Sequence, residues 1–247
     1  MTSSPAQRPA QRPAQSLAQR VLGLLGELMI TAGVLLGLFV VYSLWWTDVT
    51  AAPRAEAAAA RVRQAWSAPG APGDARTAGA AVRGYQAAGG LGFLHIPRLG
   101  RDYQVLIRTG TDTDVLDQGV AGAYTEPYPA AMPWAGRGNF ALAAHRDGHG
   151  AKFHDLPQLR PGDKVVVETR DEWYVYTVDR TLQQTSKYDV GVTAPVPAGS
   201  GYTRPGHYLT LTTCTPAYTS RYRMAVWASL TRTVPVDPAR DLPAELR

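Results

Sequence analysis

The segment His207–Leu230, HYLTLTTCTPAYTSRYRMAVWASL, reads as two β-strands joined by a turn. β-Branched and aromatic residues dominate HYLTLTTC (207–214) and YRMAVWASL (222–230), and Pro216, which lacks a backbone N–H, ends the first ladder. With a period of two, Leu209 and Leu211 point to one face of the first strand, and Tyr208, Thr210, Thr212 and Cys214 to the other. Cys214 therefore stands at a strand terminus, beside a turn and opposite the apolar face. Free cysteines are among the most buried residue types, so this position departs from the usual structural thiol. On the second strand, Arg221 and Arg223 share a face with Ala225, Trp227 and Ser229, while Tyr222, Met224, Val226 and Ala228 face the other way.

Working outward, the same pattern recurs. GFLHIPRL (92–99), YQVLIR (103–108), NFALAAH (139–145), DKVVVET (163–169) and EWYVYTVDRTLQ (172–183) are runs bounded by Gly, Pro and Asp. Seven or eight such runs with little helix predict an all-β fold, either a sandwich or a closed barrel. TDTDVLDQG (111–119) predicts a short helix opening at Asp112 or Thr113, with early acids and a closing Gly119.

The chain has 247 residues, 45% of them hydrophobic and 18% charged, a composition that suits one folded domain with extensions. Residues 1–27 are polar, rich in Gln, Pro and Ala, and predict a disordered tail. LMITAGVLLGLFVVYSLWW (28–46) carries no charge and as a helix would run about 28 Å, close to the hydrocarbon thickness of a bilayer. Tyr42, Trp45 and Trp46 fall at its end, where amphipathic rings favour the membrane interface. Its length argues for a retained transmembrane helix over a cleaved signal peptide. Arg8, Arg12 and Arg20 before it balance Arg54, Arg61 and Arg63 after it, so charge does not set the orientation. Residues 47–90, rich in Ala, Gly, Pro and Arg, predict a linker, helical in part over 56–66, that holds the domain off the membrane. The folded domain is expected over 91–233, followed by a loose tail over 234–247.

A net charge of +5 comes from scattered arginines rather than a basic stripe, which argues against nucleic acid as a partner. One cysteine excludes an intramolecular disulfide and a multi-cysteine metal site. A thiol becomes a useful nucleophile when an electropositive or acid–base neighbour favours the thiolate. Of the five histidines, His95 lies within a strand, and His207 is about 23 Å from Cys214 along the extended chain. His149 and His154 sit with His145 in the Gly-rich HRDGHGAKFH, whose spacing suits a loop better than a metal site. His145 ends its strand on the face of Ala141 and Ala143, where small side chains leave an open floor beside the imidazole. An arginine on 221–230 can donate to a developing oxyanion, although a solvated charge is the commoner role for either one.

TLTTCTPAYTSRYRMAVWASL (210–230) resembles the cysteine signature of the sortase family, with the TLxTC box on Thr210 to Cys214. GNFALAAHRDGHG (138–150) resembles the sortase histidine segment, and the resemblance spans roughly Leu91 to Thr231. TCTP followed by TSRYR is most similar to class E sortases of high-GC Gram-positive bacteria. The resemblance implies an eight-stranded sortase-type β-barrel and a cysteine transpeptidase with Cys214, His145 and Arg223 as its catalytic residues. It implies cleavage of a C-terminal sorting signal, LAxTG-like or LPxTG-like, between Thr and Gly. Transfer of the acyl group to a cell-wall peptidoglycan precursor amine would follow, with no cofactor or metal required.

The implied location is the cell membrane, single-pass, with the catalytic domain extracellular and secreted proteins bearing the signal as partners. GVAGAYTEPYPAAMPWAGRGN (119–139) is expected to border the groove, with Tyr124 as either a substrate contact or a loop anchor. Asn139, Thr212 and Thr213 are grouped with it on the substrate side. A cysteine peptidase, a pilin-polymerising sortase and a catalytically idle membrane-tethered binding module are the competing readings.

Overall fold

Apolar alternation of the kind seen at Leu209 and Leu211 continues around a closed barrel. The computed structural model describes residues 17–68, 89–237 and 239–247. The chain divides into two compact units, with the division between Leu44 and Trp45. A helix α1 (Leu17–Ser67) enters both, and a one-turn helix α2 (Thr113–Leu116) lies further on. Among the described residues the strands are β1 (Gly92–His95), β2 (Gln104–Thr109), β3 (Ala121–Ala123), β4 (Gly138–Ala143), β5 (Lys164–Glu168), β6 (Glu172–Ser186), β7 (His207–Thr215) and β8 (Tyr222–Pro235). They close in the order β1, β2, β3, β4, β7, β8, β6, β5. β2 pairs with β3 and β4 with β7 in parallel, and the other neighbours are antiparallel.

Seven of these strands carry the branched and aromatic runs read from sequence, and β3 does not. Its three residues, Ala-Gly-Ala, have no strand propensity of their own and are held by pairing with β2 on one side and β4 on the other. Gly122 is required there, because a Cβ would lie 2.1 Å from the Gly110 carbonyl oxygen. Inside the barrel, Leu94, Ile107, Leu142, Leu209, Leu211 and Val226 belong to one continuous core. The period of two sends alternate residues outward, and three further layers cover them. The connection after β6 lays Val192 on Trp227 and Ala225. The C-terminal segment lays Leu246 on Val166, Trp173 and Val175. The third layer is the second half of α1, where Ala58 and Val62 pack on Phe93, Leu106 and Val120.

At the chain ends the described residues carry more helix and more contacts than the composition suggests. Residues 1–16 lie outside the described part, but helix already begins at Leu17, inside the stretch expected to be disordered. In the first unit the helical segment long and apolar enough to cross a membrane is Leu17–Tyr42, and its large side chains, among them Leu28 and Phe39, are exposed. The expected spacer over 47–90 is helical to Ser67 and docked within the second unit, and its stretch 69–88 falls outside the described residues. Ala51, Ala55, Ala58 and Val62 are buried at spacings of four, three and four, so they form one stripe. Alanine supplies close approach with little hydropathic contrast, which is why the composition reads as a linker. The C-terminal tail is not loose. Val236 N–H donates to the Asp171 carbonyl at 2.8 Å, Arg240 reaches Glu168 at 2.6 Å, and Arg232 pairs with Glu245 at 2.6 Å.

Glu168, fully buried at the end of β5, joins both docked segments to the barrel. It accepts from Arg63 of α1 at 2.5 and 2.7 Å, from Arg240 at 2.6 Å, and pairs with His95 of β1 at 3.0 Å. Burial alone would push its pKa up. The hydrogen bonds from His95 and Arg63, the Arg63 charge and the Arg240 bond outweigh that and hold it at about 2, against an ordinary 4.5. A carboxyl whose pKa is lower when folded stabilises the fold fully above its unfolded pKa, and the contribution is lost as pH falls through the folded value. Thermal melts should therefore drop between pH 4.5 and about 2. Glu168→Gln should melt lower at neutral pH and lose part of that acid dependence. A chain beginning at Gly89 should melt below one beginning at Trp45, because it uncovers Phe93 and Leu106 and deprives Glu168 of Arg63. Equal melting temperatures would show that the helix is only a spacer.

Candidate active site

β7 runs between β4 and β8, and the two registers determine what meets at its end. In the parallel pairing Ala143 stands opposite Thr212, and Ala144 N–H continues the ladder by donating to the Thr212 carbonyl at 3.3 Å. This brings His145, the next residue, alongside the end of β7. In the antiparallel pairing Cys214 stands opposite Arg223. Directly opposed residues share a face, with Cβ atoms about 5 Å apart. Cys214, a half-buried free thiol, thus has the histidine on one flank and the arginine on the other. Together with Tyr124, Ala143 and Thr212 they border a groove of about 490 Å³.

The two arginines that alternation could not separate are separated by where β8 starts. Arg221 lies outside the strand, exposed, with its guanidinium 5.8 Å from the centre of the Tyr222 ring. Arg223 is within it and borders the groove, and its Nη1 donates to the carbonyls of Ser220 at 3.1 Å and Tyr222 at 3.0 Å.

His145 Nε2 lies 2.8 Å from Asp117 Oδ1, on the residue after α2. The histidine-rich loop divides around this contact. His149 turns its Nδ1 to the same oxygen at 3.6 Å, with the two imidazole centres 5.2 Å apart, while His154 Nδ1 donates to the Arg146 carbonyl at 2.9 Å. Asp117 was not singled out by the sequence reading, because nothing in TDTDVLDQG distinguishes it from Asp112 or Asp114. Arg146 was missed as well. Its Nη1 donates to the Thr215 hydroxyl at 2.9 Å and the Cys214 carbonyl at 3.3 Å, bracing the end of β7.

The residues grouped on the substrate side divide. Tyr124 borders the groove, and its hydroxyl lies 2.9 Å from that of Thr212. Burial pushes the Tyr124 phenol above its ordinary range and nearby Cys214 adds to this, against the opposing Thr212 hydrogen bond and Arg223 charge, so it stays protonated at neutral pH. Thr212 and Thr213 are buried in the groove wall, where their hydroxyls donate to the carbonyls of Leu142 at 3.3 Å and Ala144 at 2.9 Å. Asn139 is not at the groove. Only 3% exposed, it donates to the carbonyls of Thr193 and Ala194, each at 3.0 Å, and accepts from Thr210 at 2.9 Å. It holds the connection after β6 against β4 and β7.

Residues 94–231 match the sortase domain family. The chain is 48% identical over 231 residues to the sortase SrtE2 of Streptomyces coelicolor, covering 93% of this chain and 90% of that protein. The crystal structure of sortase E1 from Streptomyces coelicolor, which holds a tripeptide in its active site, superposes with a TM-score of 0.60 at 44% identity, covering 64% of this chain and 96% of that one. Sortase E from Streptomyces avermitilis superposes with a TM-score of 0.57 at 41% identity, over 64% of this chain and 97% of its own. The chain belongs to the sortase family of cysteine transpeptidases, and its relatives among solved structures include class E sortases.

Truncating Asn139 would strand two buried polar partners, on Thr193 and Thr210, and a half-buried one on Ala194, at a cost of about 1–3 kcal/mol for each buried unsatisfied group. Asn139→Ala should therefore lower the denaturation midpoint while leaving KM for a peptide substrate near the parent value. A raised KM at unchanged stability would return Asn139 to the substrate side.

Proposed function

We propose that this sortase cleaves a C-terminal sorting signal of the LAxTG or LPxTG kind between Thr and Gly and transfers the acyl group to a cell-wall amine. The observation that carries this reading is the double register at β7, which sets a half-buried thiol between an arginine and a histidine on one groove. The Cys214 thiolate attacks the threonine carbonyl carbon, forming a C–S bond and a tetrahedral oxyanion. The oxyanion collapses as the C–N bond to glycine breaks, and His145 gives its proton to the departing amine. The incoming amine then attacks the thioester carbonyl, His145 takes up its proton, and the thiolate leaves. The net change exchanges one amine for another on the same acyl group, so no oxidant or reductant is consumed.

Arg223 is assigned to the oxyanion and the peptide backbone. Both of its hydrogen bonds within the chain use Nη1, so the assignment falls to Nε and Nη2. Tyr124, with its hydroxyl protonated, is assigned to a polar contact with the bound signal. The peptide held in the active site of the class E relative supports a peptide in this groove. The apolar half of α1, exposed along its length, is read as a single-pass anchor with the enzymatic domain outside the cell. Secreted proteins and lipid-linked wall precursors would meet there, at concentrations raised by the shared surface.

The test is transpeptidation of LAxTG and LPxTG peptides by the full chain in detergent, with acyl-enzyme followed by mass spectrometry. Cys214→Ala should form no acyl-enzyme, and His145→Ala should turn over slowly. Arg223→Ala should lose about 10²- to 10³-fold in turnover, the usual cost of one oxyanion donor. Arg223→Lys should rescue poorly, since an ammonium lacks the planar donor fork. Arg221→Ala should stay near the parent rate. Collapse in Arg221→Ala beside normal turnover in Arg223→Ala would refute the assignment.

A further inference from the structure

Asp117 is the one carboxylate within hydrogen-bond distance of His145 among the described residues, and α2 and the loops around it hold it there. Its backbone N–H donates to the Thr113 carbonyl at 2.9 Å, closing the turn of α2. Gln118 next to it donates its side-chain amide to the Asp114 carbonyl at 2.7 Å and accepts from Arg108. Gly119 follows with φ +71°, and a Cβ there would lie 3.2 Å from the His149 carbonyl oxygen and 3.6 Å from Ala51. The segment 117–119 is thus wedged between the histidine loop and the docked half of α1. Asp117 and His145 are 32% and 26% exposed in their side chains, so their contact is only partly screened by water.

We infer that Asp117 is a positioning residue for the transpeptidation: its carboxylate engages Nε2 of His145 and so leaves Nδ1 as the nitrogen that exchanges protons in the groove. The inference rests on the assignment of His145 as the acid and base. A ring engaged at one nitrogen keeps one orientation and one tautomer, and a carboxylate beside it favours the cation that forms when the ring takes up a proton. His149 is the competitor for the same oxygen, but at 3.6 Å its contact is weaker. The other charged or titratable groups bordering the groove are Cys214, Tyr124, Arg223 and Lys187.

The experiment uses the full chain in detergent and compares the parent with Asp117→Asn, Asp117→Ala, Asp117→Glu, His149→Ala and His145→Ala. Turnover and KM are measured across pH with a sorting-signal peptide and an amine. Asp117→Asn keeps the shape and a hydrogen bond but not the charge, so its fold is expected to survive, and melting temperature checks this. Asp117→Ala and Asp117→Asn should lower kcat about 10- to 100-fold, the rate equivalent of one charge-assisted hydrogen bond, with KM near the parent value. Asp117→Glu should recover part of the rate, and His149→Ala should stay close to the parent. Adding Asp117→Ala to His145→Ala should cost nothing more, because the two act as a unit. A slow His145→Ala beside an Asp117→Asn with unchanged kcat would overturn this inference alone. A His145→Ala at the parent rate would overturn the assignment of His145, and the inference with it.

Discussion

The position of β7 is the constraint on which the site depends. It pairs in parallel with β4 and antiparallel with β8, and each register is held by a continuous ladder. A slip of one residue in either would turn the alternation inside out, moving Cys214 or Arg223 to the barrel interior. The core prevents this, because Leu209 and Leu211 are buried on one face while Thr210 and Thr212 are hydrogen-bonded on the other. Arg146 then binds the carbonyl of Cys214 itself, so the last turn of chain before Pro216 is anchored from the histidine loop. The thiol and the guanidinium come from consecutive strands and the imidazole from a segment far upstream, and their mutual placement follows from strand pairing rather than from loop conformation.

Three outward apolar rows of the barrel are covered by other parts of the chain. The covering segments are α1 on β1 and β2, the connection after β6 on β8, and the C-terminal segment on β5 and β6. Glu168 concentrates this arrangement in one buried carboxylate. Burying an unpaired charge is costly, so Glu168 depends on Arg63 and Arg240, and each of those depends on its own segment being docked. His95 completes the set, and its ring lies 5.7 Å from that of Trp173, which the C-terminal segment covers. The two ends of the enzymatic unit are therefore coupled through electrostatics as well as packing. Ala51 of α1 also abuts Gly119 and Gly150, so the helix leaving the apolar segment touches both loops that carry the Asp117 and His149 contacts.

Much of this was legible in the residues. Seven strands declared themselves by branched and aromatic alternation, the apolar segment by its lack of charge, and the strand-end positions of Cys214 and His145 by the same alternation, whereas Arg223 was set apart from Arg221 only by the family resemblance. Strand alternation is a local property, since each side chain's face follows from its own backbone, and a pattern of period two survives without knowledge of partners. The family resemblance of 210–230 rests on the same local strings.

What the tertiary structure decided were the pairings between segments. β3 exists only because β2 and β4 hold it, and Ala-Gly-Ala carries no signal of its own. Asn139 shares its strand with the histidine segment, yet its amide is consumed by a connection more than fifty residues away. The alanine stripe of α1 and the sparse apolar residues of the C-terminal tail look like spacers by composition, because small and isolated side chains gain their burial only when a complementary surface is present. Asp117 is one acid among several until the fold sets it 2.8 Å from His145. A sequence states which groups a segment can offer, but the energy of a hydrogen bond, an ion pair or a buried alanine belongs to two segments at once, and only the folded chain says which two.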